Sequence, residues 1–202
     1  LYAGVMAEGT TILQNAACEP EVVALGEFLK NCGAKISGLG TPTITIQGTP
    51  LKAPSKPVRV PPDRIEAGTW VSIALATRSE LELNHCDSSQ MTSVLAAFRQ
   101  MGAKIEELNQ GTTLRVTPAD KYLPLHIETA PYPGFPTDMQ AQILTLLCFA
   151  EGRSTVVESI FENRFMHVAE LQRLGAKIEV NGNVATVEGP VKFQGAPIMA
   201  TD

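Results

Sequence analysis

Three stretches of this chain bring an apolar residue round every three or four positions and then stop at a glycine. Val22, Leu25, Leu29 and Cys32 form the first stripe; Met91, Val94, Leu95, Phe98 and Met101 the second; Val168, Leu171 and Leu174 the third. That period puts the side chains on one face of an α-helix. Gly33, Gly102 and Gly175 follow directly, and glycine adopts the left-handed C-cap conformation without steric cost. Three amphipathic helices are predicted, and the glycines are read as structural. Each glycine opens the tetrapeptide Gly-Ala-Lys-Ile, so successive copies lie 69 and 73 residues apart. The chain is a repeat.

More than the tetrapeptide recurs. A β-type run precedes each helix: Thr10–Asn15, Glu80–Asn84 and Ser154–Glu158. A hairpin-like stretch follows each tetrapeptide, plainest where Asn181-Gly182 separates two alternating runs; Asn109-Gln110-Gly111 reads as another hairpin tip. Further helices are predicted over about 65–76 and 138–150, the latter apolar nearly all round and therefore buried on most sides. Each unit reads as helix, strand, helix, strand, strand, the first entering mid-helix. Pro50, Pro54, Pro57, Pro61 and Pro62 mark a linker or domain crossing after the first unit.

Composition narrows the class. Of 202 residues 44% are hydrophobic and 18% charged, which suits a packed α/β protein. A net charge of −5 argues against a sequence-independent nucleic-acid binder, and no apolar run has the length of a membrane span. The four cysteines, Cys18, Cys32, Cys86 and Cys148, show no metal spacing. Cys32 and Cys148 are expected as buried free thiols, and cytoplasm is the expected location. The chain opens at Leu1 without a signal-peptide pattern, and both ends read as cut.

Chemistry concentrates in two strings. Phe135-Pro136-Thr137-Asp138-Met139-Gln140-Ala141-Gln142 follows the proline-stiffened Ala130–Gly134 and brings Asp138 to a helix start. Thr137-x-x-Gln140 fits a capping box, with Asp138 as a first-turn acid; alternatively Asp138 is a general base. Phe161-Glu162-Asn163-Arg164-Phe165-Met166-His167 offers aromatics and an arginine that could flank a base ring or hold a phosphate. Its plainer reading pairs Arg164 with Glu162 or a nearby acid and leaves His167 a packed histidine. Asp63-Arg64-Ile65-Glu66 could line the same cleft or cap its own helix.

Together with Ala7–Thr11, Glu19-Pro20-Glu21, Gly33–Gly38, Pro62–Glu66 and Met199–Asp202, the two strings resemble the UDP-N-acetylglucosamine 1-carboxyvinyltransferase branch of the enolpyruvyl transferases, across essentially the whole chain. The resemblance implies an α/β fold of repeated βαβαββ-type units forming an inside-out barrel, here incomplete. Residues 1–60 would be the last repeat of one domain, and 61–202 two repeats and the start of a third of the other. It implies transfer of the enolpyruvyl group of phosphoenolpyruvate to the 3′-hydroxyl of UDP-N-acetylglucosamine, the first committed step of peptidoglycan synthesis. Asp138 would be catalytic, and Thr137, Asp138, Ile160, Phe161, Arg164, Arg64 and Asp202 would bind substrate. No cofactor and no metal are implied; the partners expected are the two substrates and the remainder of the same enzyme chain. The family's lysine–asparagine pair and reactive-cysteine loop would lie upstream of Leu1, and an arginine just past Asp202. Cys18 and Tyr132 stand where an arginine and a histidine are expected. The chain alone is therefore expected to lack transferase activity.

Overall fold

A computed structural model describes residues 1–54 and 56–199. The chain divides into two compact units, Leu1–Pro61 with Pro131–Pro133, and Pro62–Ala130 with the segment from Gly134 onward.

The first unit runs α1 (Tyr2–Met6), β1 (Thr10–Gln14), α2 (Pro20–Asn31), β2 (Lys35–Ser37) and β3 (Thr43–Gln47). Proline at the first position of α2 costs no hydrogen bond there. The strands form one antiparallel sheet in the order β1-β3-β2. Ile36, Ile44 and Ile46 on its inner face pack with Val5 and Leu29. The predicted stripe of α2 is only half covered: Leu29 and Cys32 are buried, whereas Leu25 is 46% exposed.

The second unit contains α3 (Arg64–Ala76), β4 (Leu81–Asn84), α4 (Thr92–Gln100), β5 (Lys104–Leu108) and β6 (Thr113–Thr117), then β7 (His126–Glu128), α5 (Gln140–Leu147), β8 (Gly152–Val157), α6 (His167–Arg173), β9 (Lys177–Asn181) and β10 (Val184–Gly189). Sheet order is β4-β6-β5 and β7-β8-β10-β9. Only the third copy shows the full βαβαββ order, because β7, which was not predicted, joins β8 in parallel. Gly33, Gly102 and Gly175 have φ of +100°, +112° and +101°, the positive region expected of a glycine stop. The turns after Asn109 and Asn181 join antiparallel partners as predicted. Cys32, Cys86 and Cys148 are buried free thiols. Among the described residues no helix is long and apolar enough to cross a membrane.

Helix α5 is buried as its composition demands, with Ile143, Leu144, Leu146 and Leu147 at most 1% exposed. It packs on α3, which has no side chain at Gly68; a Cβ there would lie 2.8 Å from Sδ and Cε of Met139. Gly68 thus lets the turn that carries Asp138 lie close against α3. Tyr122, fully buried, donates a 2.7 Å hydrogen bond from its hydroxyl to the Leu75 carbonyl at the end of α3. Tyr122→Phe should lower stability by about 1 kcal/mol, read as a fall in the urea midpoint; an unchanged midpoint would mean the bond contributes nothing net.

Candidate active site

The two chemistry-bearing strings meet. Residues Thr137–Met139 form one 3-10 turn leading into α5. The chain from Ser159 to Met166 bends between β8 and α6, helped by Asn163 at φ +56°, a left-handed conformation that asparagine tolerates. The bend brings Arg164 back onto Asp138: Arg164 Nη2 donates to Asp138 Oδ1 at 2.8 Å. Arg164 also lies over the Phe161 ring, 5.0 Å from its centroid. Of the plainer expectation, Glu162 or a nearby acid, it is the nearby acid, Asp138, that Arg164 pairs with. A half-exposed pair of this kind contributes only about 0.2–1 kcal/mol, so Arg164 and Asp138 can part at small cost.

Beneath this pair lies a residue that sequence reasoning did not single out. Glu158 is 3% exposed. Its Oε1 accepts from Thr129 Oγ1 at 2.8 Å, Ile160 N at 2.9 Å and Phe161 N at 3.2 Å. Its Oε2 accepts from Thr137 Oγ1 at 2.8 Å. Its backbone is held by Asn183, whose Nδ2 donates to the Glu158 carbonyl at 3.1 Å and whose carbonyl accepts from Glu158 N at 2.8 Å. Burial disfavours the charged carboxylate, yet the hydrogen bonds from Thr137, Ile160, Thr129 and Phe161 outweigh it and hold the carboxyl below the usual glutamate range.

Two expectations are corrected here. Thr137 is not the cap of a capping box: the N-cap position is Pro136, and the Thr137 hydroxyl is committed to Glu158. Gln140 is not its reciprocal partner either; it is 1% exposed, and its Nε2 has no hydrogen-bond partner among the described residues. Asp63 caps its own helix, accepting from Ile65 N at 2.8 Å and Glu66 N at 3.0 Å. His167 is packed, with burial first and the Arg164 charge second lowering its pKa.

A cavity of about 240 Å³ opens onto the pair, lined by Thr137, Asp138, Gln140, Arg164 and His167 among others. Its lining does not include Arg64, which begins α3. Asp202 lies outside the described residues. A larger groove of about 360 Å³ between α3, α5 and α6 is mainly aliphatic and contains neither Asp138 nor Arg164. The smaller one is where the Asp138 carboxylate and the Arg164 guanidinium both line the wall.

The profile described as EPSP synthase (3-phosphoshikimate 1-carboxyvinyltransferase) matches residues 1–202. The chain belongs to this family. Within it, the chain is 52% identical to a protein of Desulfovibrio desulfuricans and 48% identical to one of Desulfosudis oleivorans, both named UDP-N-acetylglucosamine 1-carboxyvinyltransferase. Both matches cover 100% of this chain and 48% of the relative, so the chain spans about half the length of the curated relatives it matches. The crystal structure of the enolpyruvyl transferase NikO from Streptomyces tendae superposes with a TM-score of 0.83 at 26% identity, over 95% of this chain and 45% of that one. The fold is that of the enolpyruvyl transferases, and the α/β repeat reading stands.

Proposed function

We propose that this chain carries the aspartate-bearing part of a site that transfers the enolpyruvyl group of phosphoenolpyruvate to the 3′-hydroxyl of UDP-N-acetylglucosamine. The observation that carries the reading is the Asp138–Arg164–Phe161 cluster, an accessible carboxylate held beside a guanidinium and an exposed ring. Asp138 takes the proton of the sugar hydroxyl as its oxygen bonds to C2 of phosphoenolpyruvate. A proton delivered to C3 by a group elsewhere in the full-length protein completes a tetrahedral phospholactoyl species. Loss of a C3 proton and cleavage of the C2–O bond to phosphate restore the double bond and release inorganic phosphate. Ile160 and Phe161 contact the nucleotide sugar, Thr137 flanks the base, and Arg164, Arg64 and Asp202 complete the cleft. In this reading residues 1–60 close one domain, and 61–202 make up most of the other. The reaction begins peptidoglycan synthesis in the cytoplasm, and so serves cell-wall growth, cell shape and division.

The family description favours a second reading, in which shikimate 3-phosphate is the acceptor. A thermal-shift comparison on the full-length protein containing this sequence separates them. UDP-N-acetylglucosamine at about 100 times its Kd should stabilise the fold by about 2.7 kcal/mol, shikimate 3-phosphate should leave Tm unchanged, and phosphate release from phosphoenolpyruvate should require the nucleotide sugar. A shift with shikimate 3-phosphate alone would transfer the assignment to that acceptor. A shift with the nucleotide sugar but no phosphate release would make the protein a binder.

A further inference from the structure

Glu158 is an ionised carboxylate in a place that ordinarily rejects charge. No cation appears in its ion pairs among the described residues; it is satisfied by two hydroxyls and two backbone amides. Those donors come from three separate segments: Thr129 just after β7, Thr137 in the 3-10 turn, and Ile160 and Phe161 in the bend after β8. Thr129 tightens the knot, accepting from Ser159 N at 2.9 Å, while the Ser159 hydroxyl donates to the Thr129 carbonyl. A buried acid left with so many neutral donors costs stability against an apolar side chain unless each bond is well made, and what these bonds hold is the geometry of two loops. One Glu158 oxygen holds the residues read above as the nucleotide-sugar seat. The other holds the residue next to the base.

We propose that Glu158 is a positioning residue that sets Asp138 in register with the nucleotide sugar, acting through two separable arms: Oε2 to Thr137 for the base, and Oε1 to the Ile160 and Phe161 amides for the sugar. The inference rests on the reading of Asp138, Ile160 and Phe161 given above. A carboxylate suits this role because one rigid, planar group accepts on both oxygens at once. Among the described residues the Thr137 hydroxyl is the only side-chain link between Oε2 and the turn that carries Asp138. Displacing a catalytic group by a fraction of an ångström lowers the rate without touching binding.

The test is a kinetic cycle in the full-length protein containing this sequence. Thr137→Val, which keeps shape and removes the hydroxyl, should lower kcat about tenfold and leave KM for UDP-N-acetylglucosamine within about twofold, while Thr137→Ser stays within about threefold of wild type in kcat. Glu158→Ala severs both arms and should both lower kcat and raise KM, each about tenfold. Adding Thr137→Val to Glu158→Ala should cost no further kcat, since the arm is already gone. If Glu158→Ala does not fold, the Val and Ser variants at Thr137 decide alone. Wild-type kcat in Thr137→Val, equal losses in the Val and Ser variants, or multiplying effects in the double variant would overturn the inference. A wild-type protein that transfers nothing to UDP-N-acetylglucosamine overturns the underlying reading instead, and the inference falls with it.

Discussion

Asp138→Ala in the full-length protein should lower kcat for enolpyruvyl transfer by about 10²–10⁴-fold, the range a general base supplies, while leaving the Kd for UDP-N-acetylglucosamine within a few-fold. Removing the carboxylate takes away the proton acceptor and also the partner of Arg164. It leaves the proposed seat at Ile160 and Phe161, whose amides are held by Glu158. Because Asp138 is 55% exposed in its side chain, its loss opens no cavity and the fold should be unaffected. Single-turnover measurements beside isothermal titration separate the two quantities. Near-normal turnover would return Asp138 to the part of a first-turn acid, and a matching loss of binding would make it a substrate contact.

Phe98→Ala should destabilise the second unit by about 3–5 kcal/mol, the usual cost of emptying a buried aromatic site. Phe98 lies on α4, is fully buried, and belongs to the cluster that includes Leu95, Met101, Leu114 and Val116. Against a total of about 5–15 kcal/mol for a domain, that loss threatens folding at ordinary temperature. Trp70, the single tryptophan of the chain, sits on α3 in the same unit and reports its unfolding by fluorescence. The urea midpoint should fall by about 1 M or more. A change below about 0.5 M would mean that α4 is not packed as described.

Much of the architecture was legible in the sequence because its signals are local. A helical period followed at once by glycine needs no distant information, and neither does a turn at Asn181-Gly182. What was missed depends on contacts far along the chain. Strand β7 has three residues and follows Pro124, so nothing local marks it; it exists because β8 offers a parallel edge. The half-exposed stripe of α2 could not be foreseen, since period identifies an apolar face but not what covers it. The site shows the same division. Asp138, Arg164 and Phe161 were singled out by residue type within short strings. Glu158 was not, because a glutamate closing a β-run reads as a solvated strand end, and its side-chain partners Thr129 and Thr137 lie 29 and 21 residues away. A threonine followed three residues later by glutamine satisfied the capping pattern at Thr137, but its hydroxyl donates to the buried Glu158 carboxylate and accepts from no amide of the helix start.

Acid should undo this site before it undoes the fold. The folded Glu158 carboxyl is more acidic than an ordinary glutamate, so its contribution is complete above about pH 4.3, where the unfolded group is ionised, and disappears as pH falls through the lower folded value. Protonation then sets a hydroxyl against neighbours that all donate, and the two loops lose their common anchor while the aliphatic core, which carries no charge, stays closed. Activity lost at low pH should therefore return on neutralisation while near-ultraviolet circular dichroism stays unchanged throughout, and a coincident loss of both would tie the anchor to the fold as a whole.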